Sequence, residues 1–169
     1  MYAWATSPVP TACSTPSDSS TGDSGGSSGA DLTLKLGSLL PQTGSLAFLG
    51  PPMESGVGLA VQEINEADAG ITIDLTAEDE GDTDTKAYET SITKLQGAGV
   101  TAIVGAAASG VSKLILDGNV AAGILQISAS NTSPDFTDWD DDGLYFLTAP
   151  SDLLQGEVLG NLIAEDGAK

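Results

Sequence analysis

The sequence predicts an α/β fold in which a doubly wound, mainly parallel sheet is flanked by helices. From residue 31 onward, short apolar segments of strand length alternate with longer segments that have the period of an amphipathic helix. The segment 100–104 is apolar apart from Thr101, which is typical of a parallel strand covered on both faces. The chain has 169 residues, enough for one domain of ordinary size.

The first strand is predicted at residues 31–40, where apolar and polar side chains alternate before a turn at 41–44. A proline pair at 51–52 opens the first helix, because proline is favoured in the first helical turn. Gly56 and Gly58 cost this helix about 1 kcal/mol each relative to alanine, and we expect them to permit a close approach to the sheet. The apolar residues of the helix share one face: Met53, Val57, Ala60, Val61, Ile64 and Ala67.

The second strand is predicted at residues 71–77, and a helix follows from about Thr85 to Gln96. Gly97 is the expected stop of that helix, because glycine readily adopts the left-handed conformation that ends many helices. The side chains expected to point inward are those of Ala87, Tyr88, Ile92 and Leu95.

The third helix is expected to run from Ser109, its predicted N-cap, through Asp117, with Gly118 closing it. Strands four and five are predicted at 123–127 and 144–147. A last amphipathic helix begins near Ser151-Asp152.

The charge balance excludes several classes of function. The chain has 24 Asp and Glu against 5 Lys, with no Arg and no His, for a net charge of −19. So negative a field repels phosphate backbones, which excludes nucleic-acid binding, and the absence of histidine excludes imidazole metal sites and histidine triads. The carboxylates cluster at 78–84 and 135–142, which we interpret as a solvated surface suited to saline surroundings; a cation-binding surface is the alternative.

Residues 1–30 are predicted to be a disordered leader and tether outside the fold. Between residues 14 and 30 almost every residue is Ser, Thr, Gly, Asp or Pro, a composition that cannot offset the entropy of ordering. Cys13, the single cysteine, stands directly before this tether and resembles the lipid-attachment site of bacterial lipoproteins. Cys13 is therefore either a lipidated residue or an incidental free thiol.

Polar residues gather where three predicted strands end. In open α/β sheets, ligands bind beyond the carboxyl ends of the strands, so the loops 43–50, 105–110 and 128–134 are expected to meet there. A helix N-terminus at Ser109 suits a carboxylate, and hydroxyls and carbonyls from Ser128 to Thr132 could receive an ammonium or a carboxylate. The alternative is that these Ser and Thr residues only cap helices and shape turns.

Five segments, in order along the chain, resemble type I periplasmic binding proteins of the branched-chain amino acid branch, and the resemblance covers residues 31–169. They correspond to the first strand and loop of that family, its first helix, its two ligand loops and the crossing to its second lobe: residues 34–44, 56–65, 103–109, 126–134 and 145–152. The resemblance implies an N-terminal ligand-binding lobe at 31–150 and a crossover helix at 151–169. It further implies that a second lobe is missing, so that binding by this half of the cleft alone is weak.

The resemblance also implies roles for individual residues. Ser109 corresponds to the serine that meets the α-carboxylate of the ligand, and Ser130 to the residue whose carbonyl receives the α-ammonium. Thr132 corresponds to the threonine that contacts the amino-acid head group with hydroxyl and amide. Leu49 falls near a position where the family often has an aromatic wall. Ala108 shows that this chain lacks a cysteine pair found in some members.

The function implied by the resemblance is that of an extracytoplasmic substrate-binding component of an ABC transporter, which captures amino acids or related amides. Such a protein needs no cofactor and is not an enzyme. Its expected partners are the ligand, the membrane permease and, through the lipid on Cys13, the membrane surface. The expected location is periplasmic or cell-surface. A ligand-sensing receptor domain of the same fold is the alternative.

Two other functions have weaker support in the sequence. Residues 138–143 match the opening D-x-D-x-D-G of a calcium loop, but position twelve is Ala149 instead of Glu. An enzyme with a phosphate-binding loop is disfavoured because 37–44 lacks the Gly-Lys-Ser/Thr ending of such loops.

Overall fold

A computed structural model describes residues 32–167 of the chain. Its five strands form one sheet in which every neighbouring pair is parallel, and helices alternate with the strands along the chain. The strands are β1 (Leu32–Leu40), β2 (Ile71–Asp79), β3 (Ala102–Gly105), β4 (Leu125–Ser128) and β5 (Tyr145–Leu147). The helices are α1 (Gly50–Glu66), α2 (Ala87–Ala98), α3 (Ser109–Ala121) and α4 (Asp152–Glu165). The predicted fold class is confirmed.

The strand order is β2-β1-β3-β4-β5, so the chain reverses direction across the sheet beside β1. Leu36 of β1 pairs with Leu75 of β2 on one side and with Ala102 of β3 on the other. The connection through α1 leads outward to β2, and the connection through α2 leads back past β1 to β3. This switch between β1 and β3 is the place where ligands of open parallel sheets bind, beyond the carboxyl ends of the strands.

The main core lies between the sheet and the helices α2 and α3. Leu39 of β1, Ile103 of β3, Leu95 of α2 and Val111 of α3 are each completely buried in one cluster. Burial of each such side chain contributes roughly 1.5–3 kcal/mol relative to leaving it in water. Tyr88 joins this cluster, as expected for the inward face of α2.

The opposite face of the sheet is only partly covered by α1. An apolar groove of about 420 Å³ separates the two, lined among others by Leu36, Leu40, Val104, Met53, Val57 and Val61. The expectation that Gly56 and Gly58 permit close packing is wrong for the described residues, because a Cβ added at either position would have no atom within 4 Å. The predicted apolar face of α1 therefore faces the sheet without being buried against it.

Two helix boundaries differ from the sequence-based expectation. Ser109 is the first residue of α3 and not its N-cap; Ala108 occupies the cap position in an extended conformation. Gly118 does not close the helix, which continues to Ala121. The extension brings Asn119 to its buried partner, since its Nδ2 donates a hydrogen bond of 2.8 Å to Oε1 of Gln126.

Helix α2 also ends later than expected. Gly97 remains helical, and Gly99 ends the helix in the left-handed conformation, with φ of +74°. Its N–H donates to the carbonyl oxygen of Gln96 at 3.0 Å. The stop is of the predicted glycine type, two residues further along.

Helix α4 begins as predicted, because Ser151 is its N-cap and its Oγ accepts the N–H of Leu153 at 3.3 Å. Every described residue of α4 is exposed. The large apolar side chains of α4 are between 47% and 69% exposed: Leu153, Leu154, Val158, Leu159, Leu162 and Ile163. Within residues 32–167, no helix is long and apolar enough to cross a membrane.

Candidate ligand-binding site

Ser109 and Thr132 meet at the carboxyl edge of the sheet. The backbone N–H of Thr132 donates to Oγ of Ser109 at 3.3 Å, and both residues remain partly accessible. Ser109 begins α3, so the N–H groups of the first turn point out of the helix. Those of Ser109 and Gly110 have no acceptor among the described residues. The positive end of the helix dipole adds to these free donors, which together suit a small carboxylate.

The loop after β4 lies against the loop after β3 through serine hydroxyls. Oγ of Ser130 donates to the carbonyl of Ala107, and Oγ of Ser128 donates to the carbonyl of Ala106, both at 2.8 Å. Ser128 is completely buried and also accepts the N–H of Asn131 at 3.1 Å, so it lies beneath the site. The Ser130 carbonyl accepts no hydrogen bond from any residue in 32–167, which leaves it open to a donor.

A buried polar network supports this loop from below. Nδ2 of Asn131 lies 2.7 Å from Oγ of Ser112 and 2.8 Å from the hydroxyl of Tyr145. Ser112 also accepts from Nε2 of Gln126 at 3.1 Å. Burial raises the pKa of Tyr145, although its hydrogen bonds with Ser112 and Asn131 act in the opposite direction. Because these groups are nearly all paired inside the protein, the network fixes the loop conformation around Asn131.

The acidic segment 78–84 contributes to the site in a way that the sequence did not reveal. Both carboxyl oxygens of Glu80, which follows β2, accept backbone N–H groups: that of Ala107 at 2.5 Å and that of Ala108 at 2.7 Å. Glu80 is completely buried. Burial raises its pKa to about 7, against the opposing effect of the two N–H donors, and the charge of Asp79 raises it further. The interpretation of this segment as a solvated surface is therefore wrong for Glu80.

Asp79 and Asp82 hold the loop after β1. Asp79 accepts the N–H groups of Gln42 and Thr43 at 2.9 and 3.1 Å, and the hydroxyl of Thr43 at 2.5 Å. Partial burial acts to raise the pKa of Asp79, but the Thr43 hydroxyl and the backbone donors together outweigh it and lower the pKa. The pKa of Asp82 is lowered to about 2, mainly by the N–H groups of Thr85 and Ser45.

The carboxylates of the second acidic segment, 135–142, lie at the surface, although Phe136 between them is buried. Asp135 forms an ion pair with Lys113, whose hydrogen bond and positive charge lower its pKa. Asp141 accepts the N–H of Gly143 at 2.8 Å. Among residues 32–167, no group of three or more His, Cys, Asp or Glu side chains could hold a metal ion.

Leu49 lies in a short 3-10 helix, Ala47–Leu49, between β1 and α1. Its side chain is partly buried, whereas that of the preceding residue, Phe48, is 72% exposed. Gly50 follows, and a Cβ there would overlap the Pro41 carbonyl, so glycine is needed for this loop to close on itself. The loop thus presents an aromatic ring one residue before the position predicted for the side-chain wall.

Comparisons with known proteins agree with this architecture. Residues 33–169 match a protein family described as periplasmic binding proteins. The chain is 34% identical over 143 residues to a Leu/Ile/Val-binding protein homolog of Brucella abortus strain 2308, which covers 82% of this chain and 37% of that relative. The chain belongs to the type I periplasmic binding proteins of the branched-chain amino acid family.

Two solved structures of transporter binding proteins show the same architecture. The first is the branched-chain amino acid transporter substrate-binding protein LivJ of Streptococcus pneumoniae, in complex with isoleucine, with TM-score 0.71, 30% identity and coverage of 79% of this chain and 38% of that one. The second is a solute-binding protein of R. palustris in complex with benzoate, with TM-score 0.70, 25% identity and coverage of 80% and 38%. This chain therefore spans somewhat over a third of the length of the relative and of the two solved structures.

Of the five site residues predicted for this periplasmic binding protein, the structure brings Ser109, Ser130 and Thr132 to one edge of the sheet. Ser128 is in the same loop but is buried under it. Leu49 belongs to the separate loop after β1. Cys13 and the tether lie outside the described residues.

Proposed function

We propose that this chain is the N-terminal part of an extracytoplasmic substrate-binding protein of an ABC transporter, and that its ligand is a branched-chain amino acid or a related small carboxylate or amide. The observation that carries the proposal is the contact between Oγ of Ser109 and the N–H of Thr132, next to the two free N–H groups of α3. The relatives and neighbours named above support the class of ligand, since one holds isoleucine and another benzoate.

The proposed binding mode follows from the donors and acceptors at this edge. The N–H groups of Ser109 and Gly110, with the hydroxyl of Ser109, donate to the carboxylate of the ligand. Isoleucine and benzoate share that carboxylate, but only an amino acid has an ammonium. The open carbonyl of Ser130 suits the ammonium, which favours an amino acid. Thr132 contacts the head group, Leu49 lies towards the ligand side chain, and Ser128 supports the loop from beneath.

The protein binds its ligand without converting it, and no cofactor takes part in this proposal. No histidine stands among the site residues to act as a general base, and the hydroxyls there have no such partner. Delivery of the ligand requires a membrane permease as partner, and the membrane is proposed to be reached through a lipid on Cys13. Metabolic labelling with a fatty-acid analogue tests the anchor: Cys13→Ser is expected to abolish labelling, and labelling that persists in this variant contradicts the anchor.

The test of ligand binding is calorimetry on the full-length protein with isoleucine, leucine, valine, benzoate and a small amide. Ser109→Ala removes one hydrogen bond to a charged group, and we expect it to weaken binding of the best ligand by about tenfold or more. Thr93→Ala is the matched control, because the Thr93 hydroxyl is exposed on α2 and donates only to the Glu89 carbonyl of the same helix at 2.9 Å.

Three outcomes are distinguishable. Tight binding of an amino acid that Ser109→Ala weakens and Thr93→Ala leaves unchanged supports the proposal. Binding of benzoate in preference to every amino acid keeps the carboxylate site but contradicts the role of the Ser130 carbonyl. Full affinity in Ser109→Ala contradicts the site itself.

A further inference from the structure

Glu80 stands out among the carboxylates because it is completely buried and not paired with a cation in the described part of the chain. A buried ionisable group is costly unless its hydrogen bonds or its protonation offset the lost hydration. Glu80 reaches from the end of β2, past the end of β1, to the loop after β3. Its Oε2 and Oε1 each accept one backbone N–H, from Ala107 and Ala108 respectively.

The two donors are the residues directly before Ser109, so the Glu80 carboxylate holds the backbone that presents the first turn of α3. The same loop is held from the other side, where its carbonyls accept the hydroxyls of Ser128 and Ser130. At the start of the loop, the backbone of Gly105 packs directly against the Leu39 carbonyl. Gly105 has φ of +129°, and a Cβ there would overlap that carbonyl. The N–H groups of the loop are thus turned towards Glu80, and its carbonyls towards β4.

The ionisation state of Glu80 changes this arrangement. An ionised carboxyl accepts both N–H groups, whereas a protonated one carries a hydrogen on an oxygen that must then face an N–H donor. The hydrogen-bonded neighbours of Glu80 are Ala107, Ala108 and Leu40, whose carbonyl accepts the Glu80 N–H, and none is ionisable. Asp79, the preceding residue, is the ionisable group whose charge acts on it. The carboxyl titrates close to neutral pH, with a pKa of about 7.

We propose that Glu80 is a positioning residue of the binding site: its ionised carboxylate fixes the Ala107–Ala108 backbone so that Ser109 can receive the ligand, and protonation of Glu80 loosens that grip and weakens binding. This inference rests on the proposed function for its ligand, but the hydrogen bonds that carry it belong to this chain alone. It assigns a structural task to an acidic loop residue that itself does not touch the ligand.

The test measures the affinity of the full-length protein for isoleucine between pH 6 and pH 8, where isoleucine remains a zwitterion. For the wild type we expect affinity to fall by roughly tenfold as the pH drops through the pKa of Glu80. Glu80→Gln presents an amide nitrogen to one of the two N–H donors. We expect it to bind at pH 8 at least as weakly as the wild type does at pH 6, and to show no pH dependence.

Glu78→Gln is the matched control. It makes the same chemical change two residues earlier on β2, where the carboxylate pairs with Lys94 of α2 at 2.8 Å and makes no hydrogen bond with the loop after β3. The wild-type affinity and pH profile are expected to persist in this variant. An affinity that does not change between pH 6 and pH 8 in the wild type overturns the proposal. So does an affinity that rises as the pH falls, because repulsion between Glu80 and the ligand carboxylate would then govern binding.

A measurement on the wild type without ligand covers the case in which Glu80→Gln does not fold. The amide NMR signals of Ala107, Ala108 and Ser109 are expected to shift together with one midpoint near pH 7. Amide signals that do not titrate overturn the proposal even if isoleucine binds. If isoleucine fails to bind at any pH while these signals titrate, the proposed ligand is wrong and the positioning role of Glu80 is supported.

Discussion

The two acidic segments, 78–84 and 135–142, each contain five carboxylates but place them differently in the structure. In the first, Asp79, Glu80 and Asp82 together accept N–H groups from the loops after β1, β2 and β3. In the second, the carboxylates lie at the surface, and the main interaction is the exposed ion pair of Asp135 with Lys113. The segments differ because the first spans the end of β2, near the strand-order switch, whereas the second lies in a loop between β4 and β5.

Within the first segment, the adjacent residues Asp79 and Glu80 contact different loops. Successive residues at the end of a strand point to opposite faces of the sheet. Asp79 therefore contacts the loop after β1, and Glu80 contacts the loop after β3. Carboxylates at the carboxyl edge of a parallel sheet can serve as acceptors for the backbone N–H groups of loops that have no regular partners. Some of the carboxylates of this chain therefore hold loops in place, and others are exposed on its surface.

The largest expected difference between the segments is in the pH dependence of stability. The Glu80 pKa is about 7 in the folded chain and 4.5 for an ordinary glutamate. As the pH rises from about 4.5 to 7, the carboxyl of Glu80 loses its proton in the unfolded chain before it does so in the folded chain. The free energy of unfolding therefore falls across that interval, by an amount on the order of 3 kcal/mol. Above pH 7 this contribution no longer changes. Urea unfolding at pH 5 and pH 8 measures the difference.

Glu80→Gln is expected to remove that part of the slope, because its side chain does not titrate. Asp138→Asn, in the exposed segment, is expected to leave the slope as it is in the wild type. Equal slopes in the wild type and Glu80→Gln would mean that Glu80 is hydrated and that the two acidic segments are alike after all.

The sequence predicted the sheet, the alternation of strands and helices and the edge at which Ser109 and Thr132 meet, because these depend on apolar periodicity and on the geometry of parallel strands. It did not predict the place of Glu80, because nothing in a run of five carboxylates distinguishes the one that is buried. The predicted strand ended at residue 77, whereas β2 continues to Asp79 and places Glu80 directly after the strand, before Gly81 with its φ of +59°. The packing of α1 was also missed, because periodicity shows which side of a helix is apolar but not how closely it packs.

The gap between α1 and the sheet shows that a glycine in a helix does not by itself indicate close packing. Gly56 and Gly58 were expected to serve close packing, yet neither has a neighbour within 4 Å of an added Cβ. Gly105, in contrast, has a backbone carbonyl directly against it and a positive φ. The requirement for glycine is therefore shown at the strand end that shapes the site and is absent at Gly56 and Gly58 within α1.

A smaller effect on stability is expected when Asp79 is replaced. Comparison with the same replacement at Asp138 contrasts the two acidic segments directly. Asp79→Ala removes the acceptor of three backbone N–H groups and of the Thr43 hydroxyl, at a site that is partly open to water. We expect it to lower the free energy of unfolding by about 2 kcal/mol at pH 7. Asp138→Ala, whose carboxylate makes no hydrogen bond with any described residue, is expected to change it by less than about 0.5 kcal/mol. Urea unfolding of both variants measures the two values. If they are equal, the acceptor role of Asp79 adds nothing to stability, and the contrast between the two acidic segments then depends on Glu80 alone.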